Sequence, residues 1–249
     1  MRKIETLAII PARGGSVRLP RKNLQLFAGV PLVVKTIQQA KSTISINRIV
    51  ISTDDDEVAK ISRQYGVEAI KRPSFLSQGG LDSMIRTVRH ALEYLEKYEG
   101  YKPLIVVLLQ PTSPLRTSED IETCIKLLID SGVDTVLSVS GTKNPEITNY
   151  LSRTQSPENG AIYVNWRHVI MERNRLAGNT MAYYQMPEDR SIEIHTAEDL
   201  EKAEKILMGR ETNVDSGAGH QLRREYGTSK ADDKGGKRRR GRPSKGTTL

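Results

Sequence analysis

The sequence predicts an α/β protein, a mostly parallel sheet with helices on both faces, followed by a disordered basic C-terminal tail. Two observations carry the fold. Short β-branched apolar runs recur along the first 140 residues, and stretches with apolar residues at helical spacing separate them in regular succession. A third observation carries the tail: from about Gly209 this rhythm stops and charge replaces it.

The strand expectation rests on TLAII (6–10), RIVIS (48–52), LIVVLL (104–109) and DTVLSV (134–139). Continuous apolar runs of this length suit parallel strands buried on both faces. Helical spacing marks residues 32–40, 57–65, 84–98 and 121–129. TSED (117–120) has capping-box spacing ahead of the last of these, and TAED (196–199) repeats it ahead of LEKAEKIL. After Ser140 the polar stretch GTKNPEITNYLSRTQSPENG, with two prolines and two glycines, reads as loop. AIYVN (161–165) and MAYYQM (181–186) then read as further strands, antiparallel ones at the sheet edge. No internal repeat is visible.

Composition narrows the function classes. A chain of 249 residues can bury a substantial core, and the expected division is one domain over residues 1–208 with a tail over 209–249. No apolar run reaches the roughly 20 residues needed to cross a bilayer. The opening MRKIETLAIIPARGG, with Glu5 ahead of its apolar run, reads as a buried strand rather than a signal peptide. Cys124 is the sole cysteine, so no internal disulfide forms and the cytoplasm is the expected compartment, with no membrane partner. The formal net charge is +8, but the segment from Gly209 onward holds 11 basic and 5 acidic residues, six of the eight net charges. The body is close to neutral, and its basic loop is a local device.

That loop, ARGGSVRLPRKN (12–23), sets Arg13, Arg18, Arg21 and Lys22 beside Gly14 and Gly15, directly after the first strand. In open α/β sheets, ligands sit beyond the carboxyl ends of the strands. Glycines let backbone amides approach an anion while the cations supply charge, so the loop reads as a phosphate cradle. A solvated basic loop is the plain alternative. The spacing is neither a Walker A loop nor the dinucleotide fingerprint. A second cluster, QPTSPLRT (110–117), has a backbone fixed by two prolines. Gln110 offers an amide that both donates and accepts, as a base edge requires, though a rigid strand-to-helix turn accounts for the cluster equally. Asp54, Asp55 and Asp56 fall at a helix start, where acids ordinarily cap and offset the dipole. Metal binding is their alternative role.

The stretches IIPARGGSVRLPRKNL, STDD, KRPSFL, LLQPTSPLRT, NGAIYVN and SIEIHTAEDL follow one another across residues 7–207. Together they resemble the CMP-sialic acid synthetases, the acylneuraminate cytidylyltransferases. The resemblance implies a Rossmann-like nucleotidyltransferase fold. It also implies a reaction in which a sugar hydroxyl attacks the α-phosphate of CTP, pyrophosphate leaves and a CMP-sugar forms. By match to the motifs, Lys22, Arg13 and Gln110 would be catalytic. Arg13 and Lys22 would neutralise phosphate charge, and Gln110 would contact the nucleotide or the acceptor sugar. Gly14, Gly15, Arg18, Asn23, Arg72 and Ser83 would bind nucleotide, although SQGGLD ahead of Ser83 does not align cleanly. Glu193 and His195 would hold Mg²⁺ or another divalent cation. CTP and a small acidic sugar are the implied substrates, and a homodimer is compatible with the resemblance.

Three departures bear on the details. Val17 stands where the family commonly has a lysine after GGS, with Arg18 next to it. Glu193 and His195 stand where the family has an aspartate pair. In an extended segment the two share a face, but Mg²⁺ favours oxygen over imidazole. The segment 141–159 is shorter than the family's counterpart, which helps form the dimer and the acceptor pocket. The acceptor therefore stays open among nonulosonic acids and other small acidic alcohols. Two rival readings follow: a nucleotide-binding module without catalysis, tethered to DNA by the tail, and CMP transfer to a different acceptor. In the tail, KRRRGRPSK (237–245) resembles an AT-hook for the narrow minor groove. Its plain reading is a solvated basic segment with weak, nonspecific affinity for DNA or other polyanions.

Overall fold

Leu7 and Ile9 face one side of the sheet, Ala8 and Ile10 the other, and all four are fully buried. Their strand, β1 (Thr6–Pro11), therefore has two covered faces, as its unbroken apolar run requires. The computed structural model describes residues 4–77, 83–141, 147–148 and 158–210. Further strands are β2 (Leu26–Phe27), β3 (Val30–Pro31), β4 (Arg48–Thr53), β5 (Glu68–Lys71), β6 (Ile105–Leu109), β7 (Thr135–Gly141), β8 (Ile147–Thr148), β9 (Glu158–Trp166) and β10 (Met181–Pro187). The helices are α1 (Leu32–Lys41), α2 (Asp56–Gln64), α3 (Ser83–Glu99), α4 (Ser118–Ser131) and α5 (Arg167–Arg173). A sixth, α6, spans residues 197–210.

Eight strands form one sheet in the order β5-β4-β1-β6-β9-β7-β10-β8. The pairs from β5 to β6 are parallel, while β9 runs antiparallel to both β6 and β7. Helices α1, α2 and α4 cover one face through Val33, Val34, Ile37, Val58, Ile125 and Leu128. Helices α3 and α5 cover the other through Val88, Leu92, Leu95 and Ile170. Each such aliphatic side chain contributes about 1.5–3 kcal/mol on burial. Helix α6 packs Ala203 into a smaller cluster with Phe27, Leu32, Leu115 and Ile194.

Both expected capping boxes form. The Asp120 amide donates to the Thr117 hydroxyl, and the Asp120 carboxylate accepts from the Thr117 amide at 2.8 Å. Asp199 and Thr196 repeat the exchange ahead of α6. The edge placement of the late strands does not hold. β9 lies inside the sheet between β6 and β7, and β10 is parallel to β7. Ala161, Ile162 and Val164 are fully buried, and only an interior strand offers that burial. The expected loop after Ser140 contains β8, and most of it lies outside the described residues, as does the tail beyond Arg210. Strands β4 and β5 flank β1 on one side and β6 on the other, so the strand order reverses at β1. A crevice opens there, beyond the carboxyl ends.

Candidate nucleotide site

The loop after β1 is held open by its own polar side chains. Buried Asn23 donates from Nδ2 to the Arg13 carbonyl at 2.8 Å, which curls the loop back on itself. Arg21, in the left-handed region at φ 51°, reverses the chain ahead of a short 3-10 turn, Lys22–Leu24. Its guanidinium leaves the loop to pair with Asp55 at 3.0 Å and Glu57 at 2.7 Å. Lys22 points the other way and donates from Nζ to the Ile194 carbonyl at 2.9 Å. Burial lowers the Lys22 pKa, Glu193 opposes that shift, and Arg18 and Arg13 add to it.

Behind the loop sits a buried arginine. Arg72, 5% exposed, donates from Nε to the Ser77 hydroxyl at 3.0 Å and from Nη1 to the Thr87 hydroxyl at 3.2 Å. Its Nη2 lies 3.7 Å from Asp54 Oδ1. Burial lowers the Arg72 pKa, against the pull of Asp54. Burial would raise the Asp54 carboxyl, but the Gly14 amide, the Ser77 hydroxyl and the charge of Arg72 carry it below its ordinary value. The Gly14 amide donates to Asp54 at 3.0 Å. A Cβ on Gly14 would sit 2.6 Å from an Asp55 oxygen, so glycine serves close packing against the start of α2. Asp55 itself caps α2, accepting from the Glu57 and Val58 amides.

The opposite wall comes from the end of β6 and the segment before α6. The Ile194 amide donates to the Thr112 carbonyl at 2.7 Å, which docks that segment against the turn after β6. The Thr112 hydroxyl donates to Glu193 Oε1 at 3.3 Å. Arg18 Nη2 meets His195 Nδ1 at 3.2 Å. Arginine can only donate, so Nδ1 accepts and the ring proton resides on Nε2, 3.2 Å from Glu193 Oε2. His195 thus links the basic loop to the carboxylate.

One pocket of about 270 Å³ gathers these groups. Arg13, Arg18, Lys22, Asn23, Arg72, Ser83, Gln110, Glu193 and His195 all line it. Gly14, Gly15 and Arg21 do not. Expected to offer its amide to an anion, Gly14 instead gives it to Asp54. Ser16, Leu76, Met84, Thr87 and Thr112 also line the pocket and were not singled out from sequence. Thr112 lay in plain view within QPTSPLRT, whereas Thr87 sits in a helix with no local signal. Among the described residues, no three His, Cys, Asp or Glu side chains gather as a metal cluster. Glu193 is the one carboxylate among the described lining residues. Mg²⁺ commonly takes one or two carboxylates with water and substrate phosphates, so Glu193 fits it. Both His195 nitrogens face other partners.

A cationic pocket with one carboxylate thus lies where a mostly parallel α/β sheet reverses its strand order, the place at which open sheets of this class hold their ligands. The fold is that of the nucleotidyltransferases. The solved CMP:2-keto-3-deoxy-manno-octonic acid synthetase complexed with CTP matches with a TM-score of 0.62 at 20% identity, over 83% of this chain and 99% of that one. A nucleotidyl transferase from Methanothermobacter thermautotroptrophicus matches at 0.56 and 14% identity, over 82% and 99%. The chain belongs to the cytidylyltransferase family, whose model matches residues 7–226. N-acylneuraminate cytidylyltransferase A of Danio rerio is 29% identical over 81% of this chain and 50% of its own length. CMP-N,N'-diacetyllegionaminic acid synthase of Legionella pneumophila is 37% identical over 54% of this chain and 57% of its own. The alignments thus span about half the length of these relatives. The resemblance read from the motifs is borne out.

Proposed function

We propose that the protein transfers CMP from CTP to a sialic-acid-like nonulosonic acid, with release of pyrophosphate. The observation that carries this reading is the convergence of Arg13, Arg18 and Lys22 with Gln110 and Glu193 on one pocket. Three cations on one wall match a triphosphate, whose charge they would neutralise as it leaves. Lys22, anchored by the Ile194 carbonyl, would place its ammonium against the phosphates. The Gln110 amide would read the nucleotide or orient the acceptor. Glu193 would hold a divalent cation, Mg²⁺ by its oxygen donor, which when bound supplies charge neutralisation at the phosphates. The acceptor class is supported by the names of the relatives, which act on acylneuraminic and legionaminic acids.

The test is pyrophosphate release from CTP and Mg²⁺ across a panel of nonulosonic acids, with CTP binding measured separately. Release that depends on an acceptor is expected and names the sugar class. CTP binding without release on any acceptor would overturn the transferase reading in favour of a nucleotide-binding module. Release only with other acidic alcohols would overturn the acceptor class alone.

A further inference from the structure

Arg116 is among the largest fully buried side chains, at 1% exposure, and among the described residues it makes no salt bridge. The nearby acid, Asp120, is taken up by Arg190 at 2.7 Å and by the Tyr184 hydroxyl at 2.7 Å. Two Arg116 nitrogens, Nε and Nη2, have no hydrogen-bond partner. An unpaired buried charge is costly, so what its third nitrogen holds is informative. Nη1 donates to two carbonyls at once, Gln110 at 2.7 Å and Ala161 at 2.9 Å.

Those two residues mark where a ladder stops. β6 and β9 pair in register as far as Leu109 with Ile162. The next pair in sequence would be Gln110 with Ala161, and their carbonyls turn instead to Arg116. One residue further along β9, Gly160 adopts φ +67°, and a Cβ there would lie 3.3 Å from Gln110 Nε2. Gln39 pins the turn that carries Arg116, donating from Nε2 to the Pro114 carbonyl at 2.7 Å and the Arg116 carbonyl at 2.6 Å.

We propose that Arg116 is a positioning residue for nucleotidyl transfer: it ends the β6–β9 ladder after Leu109 and so turns the Gln110 amide into the pocket. It does not line the pocket itself and acts through Gln110. The inference rests on the CTP reading of the site.

The test is a double-mutant cycle on the full chain, with Arg116→Met, Arg116→Lys, Gln110→Ala and the two Arg116 changes combined with Gln110→Ala. Methionine removes the charge and the donor at similar volume, and because it leaves the Gln110 and Ala161 carbonyls without that partner, its stability is read separately from its activity. Lysine keeps charge and donors but loses the fork. Each variant is melted thermally and assayed for kcat/KM with CTP. Arg116→Met should lower kcat/KM roughly a hundredfold, as a misplaced group does, and lysine should restore part of the loss. In the Gln110→Ala background the same changes should have little further effect, because coupled residues are not additive. A full additive loss there, or unchanged kcat/KM in Arg116→Met, overturns the proposal. If the methionine variant does not fold, the lysine cycle decides by the same criterion. A wild-type chain that neither binds CTP nor turns it over overturns the CTP reading, and the role of Arg116 falls with it.

Discussion

Arg21 and Lys22 are adjacent, both cationic, and have opposite fates. The left-handed turn at Arg21 sends its guanidinium outward to Asp55 and Glu57, while Lys22 enters the pocket beside Glu193. Exposed ion pairs of the Arg21 kind contribute little. A half-buried ammonium lining the pocket is a different matter: in the proposed function it faces the phosphates, where removing one preorganised donor costs on the order of 10²–10³ in rate. Lys22→Ala should therefore cut pyrophosphate release by about that factor with the melting temperature unchanged. Arg21→Ala should leave turnover close to wild type in the same assay. Equal losses in both would mean that the loop works by bulk charge, and a near-normal Lys22→Ala would remove Lys22 from the mechanism. Sequence composition treats the two residues alike; only the sign of one backbone dihedral separates them.

At the scale of elements, what was legible depended on how local the cause was. Helices α1 to α4 declare themselves through apolar spacing, and the capping boxes at Thr117 and Thr196 through four consecutive residues. β9 declares itself as a strand but not by its position, since its partners β6 and β7 are set by pairing with residues far along the chain. The split between β6 and β9 was invisible for the same reason. Gly160 tests that element directly. An alanine there meets both the left-handed φ of +67° and the Gln110 amide at 3.3 Å. Left-handed backbone costs a residue with a Cβ roughly 1–2 kcal/mol, so Gly160→Ala should lower stability by about that amount in a denaturant melt. It should also weaken CTP affinity, by displacing Gln110. A stability loss with unaltered CTP affinity would mean that the turn tolerates the methyl without moving the amide.

For the whole molecule, the site was legible as a set before it was legible as a place. Five separate stretches of sequence supplied its residues, and the reversal of strand order at β1 brings them to one crevice. The charge of the chain divides differently from its fold. Residues 209–226 hold three basic and three acidic side chains, whereas residues 227–249 hold eight and two. The family match ends at residue 226, so the tail's entire net charge of +6 lies beyond it. Removing residues 227–249 would take the formal charge from +8 to +2 without touching a pocket residue. The truncated chain should release pyrophosphate at the full-length rate. Its retention on heparin and its affinity for duplex DNA should fall, because polyanion binding follows the number of phosphates neutralised. For the full chain that affinity should drop steeply with added salt, and the truncation should flatten the dependence. Preference for A·T-rich over G·C-rich duplex at constant salt would point to minor-groove reading by the R-G-R-P core. Equal binding would assign the tail to charge alone, and a collapse of turnover on truncation would make those residues part of the enzyme.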